Sequence, residues 1–91
     1  MRTLIEICEN DLFPFALSVW VDFPLIPRSG DTIYNYFFLD YEMLSEEEKK
    51  QVSKEDFDKY SYRLSNLVVT GPAWWCMDGI GPFCTLYVEV E

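Results

Sequence analysis

The residues that could carry chemistry in this chain are three cysteines, Cys8, Cys76 and Cys84, and sixteen carboxylates; histidine does not occur. Without histidine the chain lacks the commonest general base, metal ligand and triad member. A cysteine nucleophile would have to be activated by Asp or Glu, an unusual arrangement. Zinc would need all three thiolates plus a carboxylate, and no Cys-x-x-Cys spacing supports such a set. Cys76 and Cys84 flank a turn, and free cysteines on paired strands serve mainly as small buried hydrophobes.

The carboxylates are equally uninformative as catalysts. Glu46-Glu47-Glu48 adjoins Lys49-Lys50, which fits a solvated helix start rather than a metal cage, and no calcium-loop alternation occurs. Gly79-Ile80-Gly81-Pro82 cannot cradle phosphate, because Pro82 removes an amide donor and no Lys-Ser/Thr follows. The residues thus predict a protein that is not an enzyme and that uses no cofactor or metal.

The aromatic residues are the more promising set. They make up 18% of 91 residues, within a 49% apolar composition. Adjacent tryptophans in an extended chain point to opposite faces, so of Trp74 and Trp75 one can enter the core while the other is pushed outward or under a loop. An exposed Trp beside Met77 would be a binding hot spot. Trp20 stands opposite the regular apolar face of its own strand. Trp20, Trp74, Trp75 and Met77 are therefore the candidate partner-binding residues.

Net charge is −9. Residues 40–63 hold eight acids and five bases, net −3, and the remainder carries −6 with only Arg2 and Arg28 as bases. Direct nucleic-acid binding requires clustered Lys and Arg, and an anionic membrane would repel this chain. Asp22, Asp31, Glu46, Glu47, Glu48, Glu89 and Glu91 are the candidate electrostatic residues, able in principle to present a phosphate-like field to a basic groove.

Ninety-one residues predict a single domain, 1–91. Glu6 interrupts any signal-peptide pattern at the start, no run of 18 apolar residues exists, and the cysteine count is odd. These features predict reduced thiols and a cytoplasmic location.

The elements follow from periodicity and capping. Thr3–Cys8 reads as a strand. From Phe13 to Phe23 the odd positions are apolar, which predicts a long half-buried strand, surest over Leu17–Phe23. Pro24–Asp31 is a rigid loop in which Gly30 permits positive φ. Thr32–Leu39 favours a strand, although Ile33, Tyr36, Phe37 and Asp40 would also suit a helical face. The capping box Ser45-Glu46-Glu47-Glu48 and a weaker repeat at Ser53 predict short helices over about 45–51 and 54–60. Arg63–Thr70 returns to strand, Gly71-Pro72 bends it, and residues 73–77 continue it. Asp78-Gly79 signals a tight hairpin with positive φ at both central residues, and Phe83–Val90 alternates as a half-buried strand. The sum is a mainly β (α+β) domain, a small antiparallel five-stranded barrel or roll with a helical insertion at about 41–62.

Pro24–Ile33 reads Pro-x-x-Pro-Arg-x-Gly-Asp-x-Ile, which resembles the strand-entering turn of SH3-like small β-barrel proteins. The resemblance covers about ten residues and implies a barrel fold, with no activity or site attached. The insertion at 41–62 departs from the simplest such barrels.

Three functions are compatible with these residues. The first is a non-catalytic binding module that meets a protein partner, or a second copy of itself, through aromatic rings and a free sheet edge. The second is an acidic inhibitor that mimics nucleic acid, of the kind phages and mobile elements carry. The third is a small-ligand binder whose Trp and Tyr rings stack a nucleotide, with Arg28 on its phosphate.

Overall fold

The structure of the chain is a computed structural model, which describes residues 1–34 and 39–91. It is mainly β, with six strands in one mixed sheet: β1 (Arg2–Ile7), β2 (Leu17–Asp22), β3 (Thr32–Tyr34), β4 (Asn66–Val69), β5 (Trp74–Met77) and β6 (Pro82–Val90). Two short helices, α1 (Glu46–Gln51) and α2 (Lys54–Tyr60), lie between β3 and β4, bracketed by 3-10 turns at Tyr41–Met43 and Ser61–Ser65.

β6 is the hub. On one side it runs parallel to β1, with Ile5 opposite Leu86 and Ile7 opposite Val88. On its other side it takes two strands end to end, β4 against Val88–Val90 and β5 against Pro82–Thr85, both antiparallel. β2 pairs β1 and β3 pairs β4, so the order runs β2-β1-β6-β4-β3 with β5 beside β6.

Three expectations need correction here. The sheet is mixed rather than purely antiparallel, because β1 and β6 run the same way. It has six strands rather than five, since the chain bends at Gly71-Pro72 into two separate strands. Thr70 still donates its N–H to Tyr87 O at 2.9 Å, and between it and the register Trp74 to Thr85 the 71–73 segment bulges out of the ladder. Nor is the sheet a closed barrel, because among the described residues no ladder joins β2 to β3. The barrel implied by the Pro24–Ile33 resemblance is therefore not formed, although Gly30 does hold φ +91° there. Of the strand expected over Thr32–Leu39, Thr32–Tyr34 forms and Leu39 does not; the intervening 35–38 lie outside the described residues.

Strand alternation sets the two faces of the sheet. On one, Thr3, Ile5, Ile7, Leu17, Val19, Ile33, Leu67, Val69, Cys84, Leu86, Val88 and Val90 are buried. Leu44, Val52, Phe57 and Leu64 from the helical insertion close over this face. Phe13 is buried ahead of β2, its N–H held by Asn10 Oδ1 at 2.9 Å. Phe13, Phe15 and Tyr60 stack edge to face at 5.4 and 5.6 Å, tying that segment to α2. The strand predicted from Phe13 thus begins only at Leu17, because Pro14 has no N–H to give a ladder and Phe13 and Phe15 pack through their rings instead.

The helices begin where their caps predict. Ser45 caps α1 in a full capping box with Glu48, and Ser53 caps α2 through the N–H of Asp56.

Candidate functional site

Among the described residues the second face of the sheet carries no helix layer, and its side chains line up in rows across the strands. In the middle row Trp20 of β2 is opposite Leu4 of β1, Leu4 is opposite Thr85 of β6, and Thr85 is opposite Trp74 of β5. Two tryptophans thus stand at the ends of one row, three strand spacings or about 14 Å apart, with Leu4 and Thr85 as the floor between them. Thr85 is buried beneath this row and Trp20 and Trp74 are exposed.

One row along, Arg2 is opposite Asp22, and Cys76 is opposite Phe83. The Trp20 and Phe83 rings meet edge to face with centroids 5.1 Å apart. The Arg2 guanidinium lies over both rings, at 5.2 and 5.4 Å from their centroids. Its Nη2 donates to Asp78 Oδ1 at 2.7 Å and to Gly81 O at 3.3 Å, while Nε is buried without a hydrogen-bond partner among the described residues. An edge-to-face pair contributes about 0.5–1.5 kcal/mol and an exposed cation–π contact about 0.5–1 kcal/mol. The Arg2 clasp therefore fixes the Trp20 ring and anchors the β5–β6 turn to β1. In the next row Ser18 Oγ donates to Glu6 Oε2 at 2.6 Å, bounding the aromatic surface with polar groups.

The β5–β6 turn differs from the one the sequence predicts. Asp78 Oδ1 accepts from the N–H groups of Ile80 and Gly81, and the Asp78 N–H donates to Gly81 O. Only Gly81 has positive φ here, +146°. The turn is a four-residue loop held by the Asp78 side chain rather than a two-residue turn built on Asp78-Gly79. The Arg2 side chain beside Asp78, and then the Ile80 N–H, hold its carboxyl below its ordinary value of 3.8.

Of the four candidate binding residues, all are exposed: Trp20 by 48%, Trp74 by 58%, Trp75 by 62% and Met77 by 72%. The expectation that one of the paired tryptophans enters the core fails. Trp75 and Met77 share the face of Cys84, but the buried cluster reaches only to Cys84 and Ala73 on this side, and β5 projects beyond it. Trp20 and Trp74 come together on one surface; Trp75 and Met77 lie on the reverse face of β5.

β5 also has an open edge. Its N–H at Asp78 points to β6, so alternation turns the N–H and C=O groups of Trp75 and Met77 away from β6. Among the described residues nothing pairs with them. The opposite edge of the sheet is guarded at Ser18 of β2, whose N–H donates to Glu48 Oε2 at 2.7 Å.

The acidic candidates do not converge. Asp22 ends β2 and pairs with the Met1 amino group at 3.7 Å. Asp31 accepts from the Arg28 N–H and so serves its own turn. Glu46 and Glu47 open α1, Glu48 is spent on its cap and on Ser18, and Glu89 and Glu91 lie at or beyond the end of β6.

Among the described residues no three His, Cys, Asp or Glu side chains converge on a metal position. Cys76 and Cys84 sit on opposite faces, opposite Phe83 and Trp75 respectively. Burial pushes the Cys84 and Cys8 thiols up, Cys84 further through Cys76 and Cys8 through Glu89 and Glu6. No helix among the described residues is long and apolar enough to cross a membrane.

Sequence reasoning missed Arg2 and Phe83 as neighbours of Trp20. Arg2 shares parity with Leu4 and Glu6, and Phe83 with Thr85 and Tyr87, so alternation carried one residue further would have placed both on this surface. Comparison with family models, with curated proteins and with solved structures found no match to this chain.

Proposed function

We propose that this chain is a non-catalytic binding module that docks a protein partner on the helix-free face of its sheet, along Trp20 and Trp74. The single observation that carries this reading is the row Trp20, Leu4, Thr85, Trp74, in which two exposed indoles flank the half-buried Leu4 and the buried Thr85. Trp is the residue most enriched among interface hot spots. The Trp20 ring is already held by Phe83 and Arg2, so little of its rotamer freedom remains to be lost on binding.

The Trp20 ring leans across β1 to meet Phe83 on β6, so a partner helix would lay an apolar stripe along the exposed Trp20 and Trp74 rings rather than enter a gap between them. A depression of about 480 Å³ beside Trp20, lined by Leu4, Ser18, Met43, Glu47 and Gln51, extends this surface toward α1. Glu47 at its rim favours a partner with basic residues flanking the apolar stripe.

The test is affinity capture from the source cells with the wild-type chain and with Trp20→Ala/Trp74→Ala, at about 50 and 300 mM salt. A partner held by ring burial survives the higher salt and is lost with the two rings. Capture that collapses with salt and ignores the ring substitutions would instead support the acidic-mimic function, in which Asp22, Glu46, Glu47, Glu89 and Glu91 act together.

A further inference from the structure

The helix-free face leaves the free edge of β5 unused, and the sequence of that edge is suited to one particular occupant. We propose that two copies of this chain pair antiparallel through β5, with Trp75 of each copy opposite Met77 of the other and the two Cys76 residues facing one another across the two-fold axis.

The register follows from the backbone. Only Trp75 and Met77 turn their N–H and C=O groups outward, because the Asp78 N–H points inward to Gly81. The antiparallel pairing that uses every outward group sets Trp75 against Met77 and Met77 against Trp75. Cys76 then lies at the centre, in a non-hydrogen-bonded pair with its own copy.

The side chains agree with that register. Trp75 and Met77 are exposed on the same face, and an indole against a thioether is a favourable contact that the symmetry makes twice. Asp78 falls beside Trp74 of the second copy, so the two carboxylates stay at opposite ends of the interface. Such a closed, isologous contact needs one patch that complements itself, and Trp-x-Met around a central residue is such a patch.

Charge selects the same occupant. From Leu64 to Val88 the only charged residue is Asp78, and Arg2 neutralises it. A chain of net charge −9 can approach its own copy only along such a neutral strip. A basic partner would be drawn to the acidic surfaces elsewhere. On β2, by contrast, the N–H of Ser18 is already taken by Glu48.

The four residues of each β5 bury less than the roughly 1,600 Å² of a standard interface, so the dimer is weak and concentration-dependent. It sets Asp78 of the second copy beside Trp74 and leaves the rest of the Trp20–Trp74 face of each copy uncovered. The proposal goes beyond the docking function given above, and because its test uses no partner, either can fail while the other stands.

Sedimentation velocity on the reduced full chain, from about 5 to 500 μM, should show the mass rising from 10.8 kDa toward twice that value. Higher salt should strengthen the association by screening the mutual repulsion of the two acidic copies. In a Cys8→Ser background, diamide should produce a Cys76–Cys76 disulfide at concentrations where the dimer exists. In that step two thiols lose two protons and two electrons, which reduce diamide to its hydrazine. A non-hydrogen-bonded pair holds its Cα atoms about 4.5 Å apart, within the range a disulfide spans. Trp75→Lys/Met77→Lys should remain folded by circular dichroism and stay monomeric, and Cys76→Ser should lose the cross-link while keeping the reversible dimer. If the double lysine variant unfolds, the salt trend and the cross-link decide. A chain that stays monomeric throughout, a dimer that salt weakens or that folded lysine variants leave intact, or a dimer that yields no Cys76 disulfide would overturn the proposal.

Discussion

Ser18 and Glu48 are joined by a 2.7 Å hydrogen bond from the strand N–H to Oε2, while the other oxygen of the same carboxylate accepts the Ser45 N–H at 3.1 Å. One side chain thus closes a helix cap and an exposed sheet edge together. Glu48→Ala frees both donors and should lower stability by about 1–3 kcal/mol, a cap being worth about 0.5–2 kcal/mol and a hydrogen bond to a charged group about 1.5–3 kcal/mol. Glu48→Gln keeps one acceptor oxygen and should fall between the alanine variant and wild type. Urea unfolding of the three proteins checks the order.

Trp20 and Trp74 differ in how they are held, so their replacement should differ too. Trp20→Ala removes the edge contact with Phe83 and the Arg2 stacking, and about 1–2 kcal/mol of stability should go with them. Trp74 has no such ring contact among the described residues, and Trp74→Ala should stay within about 0.5 kcal/mol of wild type. Both should lose partner capture. Thermal unfolding alongside capture separates the stability effect from the binding effect.

Gly81 holds φ +146°, and a Cβ built there meets nothing within 4 Å. The cost of Gly81→Ala is therefore one of backbone conformation alone, about 1–2 kcal/mol. Gly79 has no positive φ, so Gly79→Ala should be close to neutral. Chemical denaturation of the pair tests whether the turn is the four-residue loop seen here; a two-residue turn centred on Asp78-Gly79 would reverse the ranking.

The Arg2–Asp78 clasp should depend on acid, with a definite sign. Asp78 is held below its ordinary value by Arg2 and by the Ile80 and Gly81 N–H groups. Its contribution is complete above the ordinary aspartate range and is lost as pH falls through the lowered folded value. With Trp74 and Trp75 replaced by Phe, the fluorescence of the remaining Trp20 reports the clasp, and the acid transition should vanish in Asp78→Asn. A transition at or above pH 4 would show that Asp78 is not held by Arg2.

Two of the three thiols should label in a fixed way. Cys84 is fully buried and should react only on unfolding. Cys8 is partly buried, and its thiol is raised above 9.0 by that burial and by Glu89 and Glu6. Its alkylation should keep accelerating past pH 9, since the thiolate is the reactive form. Iodoacetamide labelling followed by mass spectrometry, from pH 7 to 10, gives both results.

Local features of this fold were readable in the residues and long-range ones were not. Ser45 and Ser53 announced both helices, and alternation assigned Leu17, Val19, Leu86, Val88 and Val90 to the buried face. The same alternation holds whether two strands run parallel or antiparallel, which is why the β1–β6 pairing was not legible. Trp20 was placed correctly opposite the apolar face of β2. Its meeting with Phe83 and Arg2 depends on strand order, which no local pattern carries. The exposure of Trp75 was hidden for a similar reason: its face is the buried face elsewhere in the sheet, and only the extent of the helical layer leaves it bare.

The hub position of β6 sets the order in which this molecule can come together. Every ladder that crosses the middle of the sheet, to β1, to β4 and to β5, needs the strand that follows all of them along the chain. During synthesis the β1–β2 hairpin and the β3–β4 pair would emerge as two half-sheets with raw edges, kept apart until Pro82–Val90 arrives to weld them. The ladders across the middle of the sheet therefore form only after Pro82–Val90 has been added to the chain.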